Sequence, residues 1–198
     1  MKLRLGIDLD DTVWKSVESV IDYYNLRNKT EYNIDDCASC SVKKLLNITE
    51  EKKRDLYDKY DNEVFSKEVI LLDGFLEIFN KIQNDFEIFF ITARPKNTEE
   101  LVMWRMENIF GEENKNKFPL YFCGDREDDT FISKVDICKE LKIDIMIDDG
   151  LHHLIECSND GIKCLLLDYP WNRDDTLGKN IIRVNTWKDI LKELKGEK

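Results

Sequence analysis

Six short apolar runs, separated by stretches with helical spacing, restrict this chain to few architectures. They cover residues 3–8, 86–91, 120–123, 143–147, 163–167 and 181–184. Runs that are mostly apolar, rather than strictly alternating, suit strands covered on both faces. Between and after them, helices are expected over 75–82, 97–110, 133–141 and 187–194. In the first, Phe75, Ile78, Phe79 and Ile82 share a face; in the second, Leu101, Trp104, Ile109 and Phe110 are expected to point inward. Strands alternating with helices at this spacing specify an α/β chain, a three-layer α/β/α sandwich around a parallel sheet.

The rhythm breaks once. Almost 80 residues separate the first run from the second, far more than one crossover needs. They hold a helical pattern over 13–26, a polar segment over 28–40, and short helices over 42–47 and 50–60, the latter capped by Thr49. Residues 61–72 end in a turn at Asp73-Gly74. The simplest account is a small helical cap, residues 14–72, inserted after the first strand of a core built from 1–13 and 73–198.

Charge and composition narrow the function. The 198 residues include 41 acidic and 30 basic ones, a net charge of −11. That balance argues against extended nucleic-acid binding, which needs lysine and arginine laid along a face. No apolar run reaches the length of a membrane span, and the first residues do not resemble a signal peptide, so a cytoplasmic protein is expected. Its six cysteines (Cys37, Cys40, Cys123, Cys138, Cys157, Cys164) then read as reduced thiols. Cys37-x-x-Cys40 invites a metal or redox reading. It lacks a second CxxC, and the only histidines are His152 and His153, so this is the lesser reading.

Ligands of open parallel sheets bind beyond the carboxyl ends of the strands. Four such ends carry chemistry here: Asp8-Leu9-Asp10-Asp11-Thr12, Thr92-Ala93-Arg94-Pro95, Ser133-Lys134 opening the helix after the third strand, and Asp148-Asp149-Gly150. Taken singly, each suits an ordinary turn, helix cap or solvated helix start. Together they gather carboxylates that repel one another unless a cation is present, and an all-oxygen ligand set fits Mg²⁺. Asp8 and Asp10 share side-chain parity, so both can face one pocket while Leu9 points away.

In order and spacing, DLDDT, ITAR, Lys134 and IDD resemble the four motifs of the haloacid-dehalogenase-like phosphohydrolases. The likeness covers about 140 residues. The ITAR-P loop, Asp-Asp-Gly and Asp168-Tyr-Pro-Trp-Asn-Arg173 resemble the 5′-nucleotidase and cytosolic 5′(3′)-deoxyribonucleotidase members. The resemblance implies a Rossmann-like core with an inserted cap. It implies a Mg²⁺-dependent phosphatase working through an aspartyl-phosphate, on a small phosphomonoester such as a 5′-(deoxy)nucleoside monophosphate. Asp8 matches the nucleophile and Asp10 the general acid/base. Thr92, with Ala93 and Arg94 beside it, and Lys134 match the phosphate-binding positions. Asp8, the main-chain carbonyl of Asp10, and Asp148 match the metal ligands, with Asp149 next to them.

The charges agree with that assignment. Asp8, Asp148 and Asp149 give −3, balanced by Lys134 and Mg²⁺. Asp10, lending the metal only its carbonyl, is expected to stay free to carry a proton. Arg94 can reach phosphate or the cap, or lie at the surface as arginine before proline often does. Arg126 sits among acidic neighbours that it neutralises. His153, like His152, is placed for a hydrogen bond behind a carboxylate, or for plain packing. Trp14, Tyr23, Tyr24 and Tyr32 read first as core and second as surfaces for a base to stack on. Trp171 and Arg173 can reach the pocket rim. Rival readings are a phosphatase of nucleic-acid ends, a sugar-phosphate phosphatase, and a non-catalytic interaction module.

Overall fold

The six apolar runs form β1 (Arg4–Ile7), β2 (Glu87–Thr92), β3 (Leu120–Phe122), β4 (Ile145–Asp148), β5 (Lys163–Leu167) and β6 (Ile181–Val184). In this computed structural model, residues 2–37, 42–114, 117–123, 131–173 and 176–196 are described. All strand pairs are parallel, in the order β3-β2-β1-β4-β5-β6. Successive side chains alternate between faces. Leu5, Ile7, Ile88, Phe90, Ile145, Ile147 and Leu165 point to one side, and Phe89, Ile91, Met146, Cys164 and Leu166 to the other.

The first side is covered by α4 (Phe75–Ile82), α5 (Glu99–Phe110) and α8 (Trp187–Lys195), the second by α6 (Lys134–Glu140) and α7 (Leu151–Asn159). This is the expected three-layer arrangement. Each fully buried aliphatic or aromatic side chain contributes about 1.5–3 kcal/mol to it. Gly6 sits where β1 is closely covered: a Cβ there would stand 2.7 Å from Met146 Sδ.

Two details depart from the sequence expectation. Helix α5 buries Val102, Arg105 and Met106; Leu101, Ile109 and Phe110 pack against the same core as expected though partly exposed, and Trp104 is partly exposed. The inward stripe includes a fully buried arginine, and hydropathy alone assigns an arginine to solvent. The helix expected from residue 13 starts at Val17, as α1 (Val17–Asn28). Residues before it turn sharply, with Asp11 at φ 53°. The Asp11 carboxylate accepts the amides of Ser16 (2.9 Å) and Val17 (3.1 Å), filling donors at the start of the helix.

Between β1 and α4 the chain forms α1, α2 (Val42–Leu45) and α3 (Glu50–Tyr60), the last running into a π-type turn at Asp61–Phe65. Thr49 Oγ1 caps α3 by accepting the Lys52 amide. The chain leaves and re-enters the core through a short antiparallel crossing: Lys15 N donates to Ile70 O (2.8 Å) and Leu72 N to Val13 O (2.9 Å). Trp14, Val20, Tyr23, Val42, Leu56, Tyr60 and Phe65 belong to the same apolar cluster as the sheet residues beneath them. The insert therefore packs continuously on the core.

Candidate active site

The strand order reverses at β1, where β2 lies on one side and β4 on the other, and such a switch point opens a crevice beyond the strand ends. The register Ile7↔Ile147, extended by Asp8 N donating to Ile147 O (2.9 Å), makes Asp8 and Asp148 neighbours just past the two strands. Lys134, in the first turn of α6, reaches between them. Its Nζ is 2.5 Å from Asp8 Oδ1 and 2.6 Å from Asp148 Oδ2, and all three residues are buried. Asp148 Oδ1 accepts the Gly150 amide at 2.7 Å. A Cβ at Gly150 would lie 3.0 Å from that same oxygen, so a glycine lets the loop fold back this tightly.

Asp149 completes the cluster. One oxygen from each of Asp8, Asp148 and Asp149 lies within 4.8 Å of the others. Trp171 Nε1 donates to Asp149 Oδ2 (2.8 Å), and Asn172 Nδ2 donates to the Asp149 carbonyl (2.9 Å). Burial pushes the Asp8 carboxyl well up; Lys134 opposes this, while Asp148 and Asp149 add to it. Burial and Asp148 raise Asp149 in the same way. For Lys134, burial disfavours the charge, but Asp148 and Asp8 outweigh it and hold the ammonium. Three carboxylates with one ammonium form an oxygen-only donor set, and a divalent cation there would offset the burial that raises Asp8 and Asp149.

Asp10 stands apart from this cluster. Arg94 donates through Nε to its Oδ2 (2.8 Å) and through Nη2 to its Oδ1 (2.9 Å). Trp14 Nε1 (3.0 Å) and the Ser16 hydroxyl also donate to Oδ1. Burial alone would raise Asp10, but Arg94 and these hydrogen bonds hold it down at about 2. The side chain expected to stay free is thus fully bonded, because Arg94 and the residues at the base of the insert converge on it. Arg94, expected at the phosphate, gives its remaining Nη1 to Asp61 (3.1 Å), at the start of the π-type turn. Two carboxylates attract its guanidinium, so it joins the core to the insert. Thr92 is fully buried and its Oγ1 accepts the Arg94 amide (3.1 Å), which places Thr92, Ala93 and Arg94 in one tight loop.

A cavity of about 330 Å³ adjoins Asp149 and Gly150. The insert lines it with Val17, Cys37, Val42, Lys53 and Tyr57, the core with Leu151, His152 and Trp171. The Trp171 ring is stacked on Tyr169 at 4.4 Å, 6° from parallel. Arg173 turns away to Asp168 (2.9 Å). Trp14 and Tyr23 are core residues, while Tyr24 and Tyr32 pack against each other, and none of the four lines this cavity. His153 packs against His152, with ring centroids 3.9 Å apart, beside Gly150. Cys40 and Arg126 lie outside the described residues.

The parallel α/β/α core, interrupted after its first strand, is a fold that solved structures share. A haloacid-dehalogenase-like protein of Agrobacterium tumefaciens superposes with a TM-score of 0.65 at 11% identity, covering 99% of both chains. The magnesium-bound HAD-hydrolase YfnB of Bacillus subtilis gives 0.62 at 14% identity, over 98% of this chain and 99% of its own. These likenesses show that the chain has the haloacid-dehalogenase-like fold. In sequence it is similar to a nucleotidase of Clostridium acetobutylicum (28% identity, 96% of this chain and 92% of that one). It is also similar to the 5′(3′)-deoxyribonucleotidase of Bacillus subtilis (25% identity, 98% and 99%). No family model matches the chain. Among the described residues, no helix is long and apolar enough to cross a membrane.

The sequence reading named Asp8, Lys134, Asp148 and Asp149, and these meet. It missed Asp61 and Ser16 as partners of the Asp10 region, and Tyr57 and Lys53 as cavity walls. None of these carries a local signal: Asp61 sits in an ordinary polar helix end, and Tyr57 is one tyrosine of a charged helix.

Proposed function

We propose that this chain hydrolyses small phosphomonoesters with Mg²⁺, 5′-(deoxy)nucleoside monophosphates being the substrate class. The observation that carries the reading is the Lys134 ammonium held between Asp8 and Asp148 within 2.5–2.6 Å, with Asp149 beside them. Asp8 attacks phosphorus to form an aspartyl-phosphate as the bond to the leaving oxygen breaks. For Asp10 to carry the proton to that oxygen and take one from the attacking water, its carboxylate must first part from Arg94, which here holds it ionised. Lys134, the Thr92 hydroxyl and the Ala93 amide hold the phosphoryl oxygens. Asp8, Asp148 and the Asp10 carbonyl would hold the metal, supported by Asp149. When bound, Mg²⁺ supplies charge neutralisation at the phosphoryl group.

Residues 14–72 serve as the cap. The cavity beside Asp149 receives the leaving group, with the rings of Tyr57 and Trp171 as walls for a base and Lys53 at its edge. The names of the sequence relatives support a nucleotide substrate. The test is phosphate release across nucleoside monophosphates, sugar phosphates and oligonucleotide termini with Mg²⁺. The expected result is selective release from nucleoside monophosphates, abolished in Asp8→Asn. Release by Asp8→Asn at the wild-type rate would refute the mechanism, and release only from oligonucleotide ends would refute the substrate class.

A further inference from the structure

We propose that Trp171 is a specificity-determining residue, selecting phosphomonoesters whose leaving group carries a nucleobase over the same sugar phosphate without one. This rests on the reading of the cavity beside Asp149 as the seat of the leaving group. Trp171 both lines that cavity and touches the acidic cluster, its Nε1 donating to Asp149 Oδ2 (2.8 Å). Val17, Val42 and Leu151 give the cavity apolar walls, which suit the faces of a flat ring better than sugar hydroxyls.

The indole is held from behind and by its edge. Tyr169, stacked on it at 4.4 Å and 6° from parallel, lines not this cavity but a second one of about 340 Å³, with Leu167 and Trp187. The stacked pair is a partition between the two cavities, with Trp171 on the side of the acidic cluster. The single turn Pro170–Asn172 that carries Trp171 opens on a proline, whose ring fixes φ. Buried Asn172 closes it, donating through Nδ2 to the carbonyls of Leu167 (2.7 Å) and Asp149 (2.9 Å). Arg183 fastens the same turn, donating to the Asn172 carbonyl (2.6 Å) and to Asp168 Oδ1 (2.8 Å). Side chain and main chain of Asp149 are thus both keyed to this turn, and the indole stands at a fixed reach from the cluster. A base on a sugar 5′-phosphate can stack on a ring so placed without first ordering it; a base-free sugar has no such face to offer.

The N–H and the ring face of Trp171 do separable things. The N–H orients Asp149 whatever the leaving group, so its loss should slow every substrate alike. The ring acts only on a leaving group that carries a base. The readout is kcat/KM for the nucleoside 5′-monophosphate that is hydrolysed best, divided by kcat/KM for the matching sugar 5-phosphate. Both give up the same 5′ oxygen from the same phosphoryl group, and the ratio is unaffected by the fraction of protein that is folded. In Trp171→Leu the ratio should fall at least ~5-fold, the lower end of what one base–aromatic stack contributes. Trp171→Phe keeps a flat ring without the N–H, and should retain most of the ratio while kcat falls for both substrates. A wild-type ratio in Trp171→Leu, or an equal loss in the Leu and Phe variants, overturns the role of the ring and leaves the substrate class standing. A wild-type protein that hydrolyses both substrates equally well refutes the nucleotide reading and this inference with it.

Discussion

Asp8 and Asp10 leave the same strand end two residues apart, yet different parts of the molecule answer them. The partners of Asp8 are Lys134 and Asp148, both from the sheet core. Those of Asp10 are Trp14, Ser16 and Arg94, with Arg94 tied in turn to Asp61 in the insert. Their titrations move in opposite directions. Burial drives Asp8 up, while Arg94 and neighbouring donors bring Asp10 down to about 2 despite its burial. Two carboxylates in one motif differ because environment, not residue type, sets proton affinity. The core supplies the cluster that would hold metal and phosphate, and the insert controls the second carboxylate.

The largest test of this division is Lys134→Ala. It removes the cation bonded to both Asp8 and Asp148, and kcat should fall at least about a hundredfold, the ~3–4 kcal/mol lost with one such stabilising donor. Steady-state kinetics at saturating substrate and Mg²⁺ measure it, and a wild-type kcat would break the comparison on the Asp8 side.

Metal linkage comes next. Saturating Mg²⁺ should raise the melting temperature of the wild type, since a ligand at a hundred times its Kd adds about 2.7 kcal/mol. Asp148→Asn should lose this rise and Asp10→Asn should keep it, because only the Asp10 main chain is assigned to the metal. Equal loss in both variants would mean that the two carboxylates share one function.

The smallest effect is on acid stability. The folded pKa of Asp10 lies below its ordinary 3.8, so the pair contributes stability above about pH 4 that is lost as pH falls towards 2. The amount is about 2 kcal/mol at most. Denaturant titrations between pH 5 and 2 should show this limb in the wild type and a flatter one in Asp10→Asn.

Much of the Asp8 cluster was legible in the chain because strand ends, parity and motif order are local properties. Once the sheet is parallel, Asp8 and Asp148 must emerge on the same edge. Helix α4 was equally legible, with Phe75, Ile78, Phe79 and Ile82 buried on the face that their spacing gives. Arg105 shows where such reasoning stops. Its burial against Phe65 and Trp14 depends on rings roughly 40 and 90 residues away in sequence, and no hydropathy pattern places a charge inside. Arg94 is the same case at the site: read locally it belongs to a phosphate loop, and in the fold two aspartates take its guanidinium.

The sequence by itself determined the α/β core, the interruption after the first strand, and the acids and lysine that would meet at the strand tips. Those follow from periodicity and from the chemistry of residues that sit at element ends. Only the tertiary structure decided which cation serves which carboxylate, and which rings wall the cavity. Charge pairing and ring packing depend on distances of a few ångströms between chain segments that folding alone brings together.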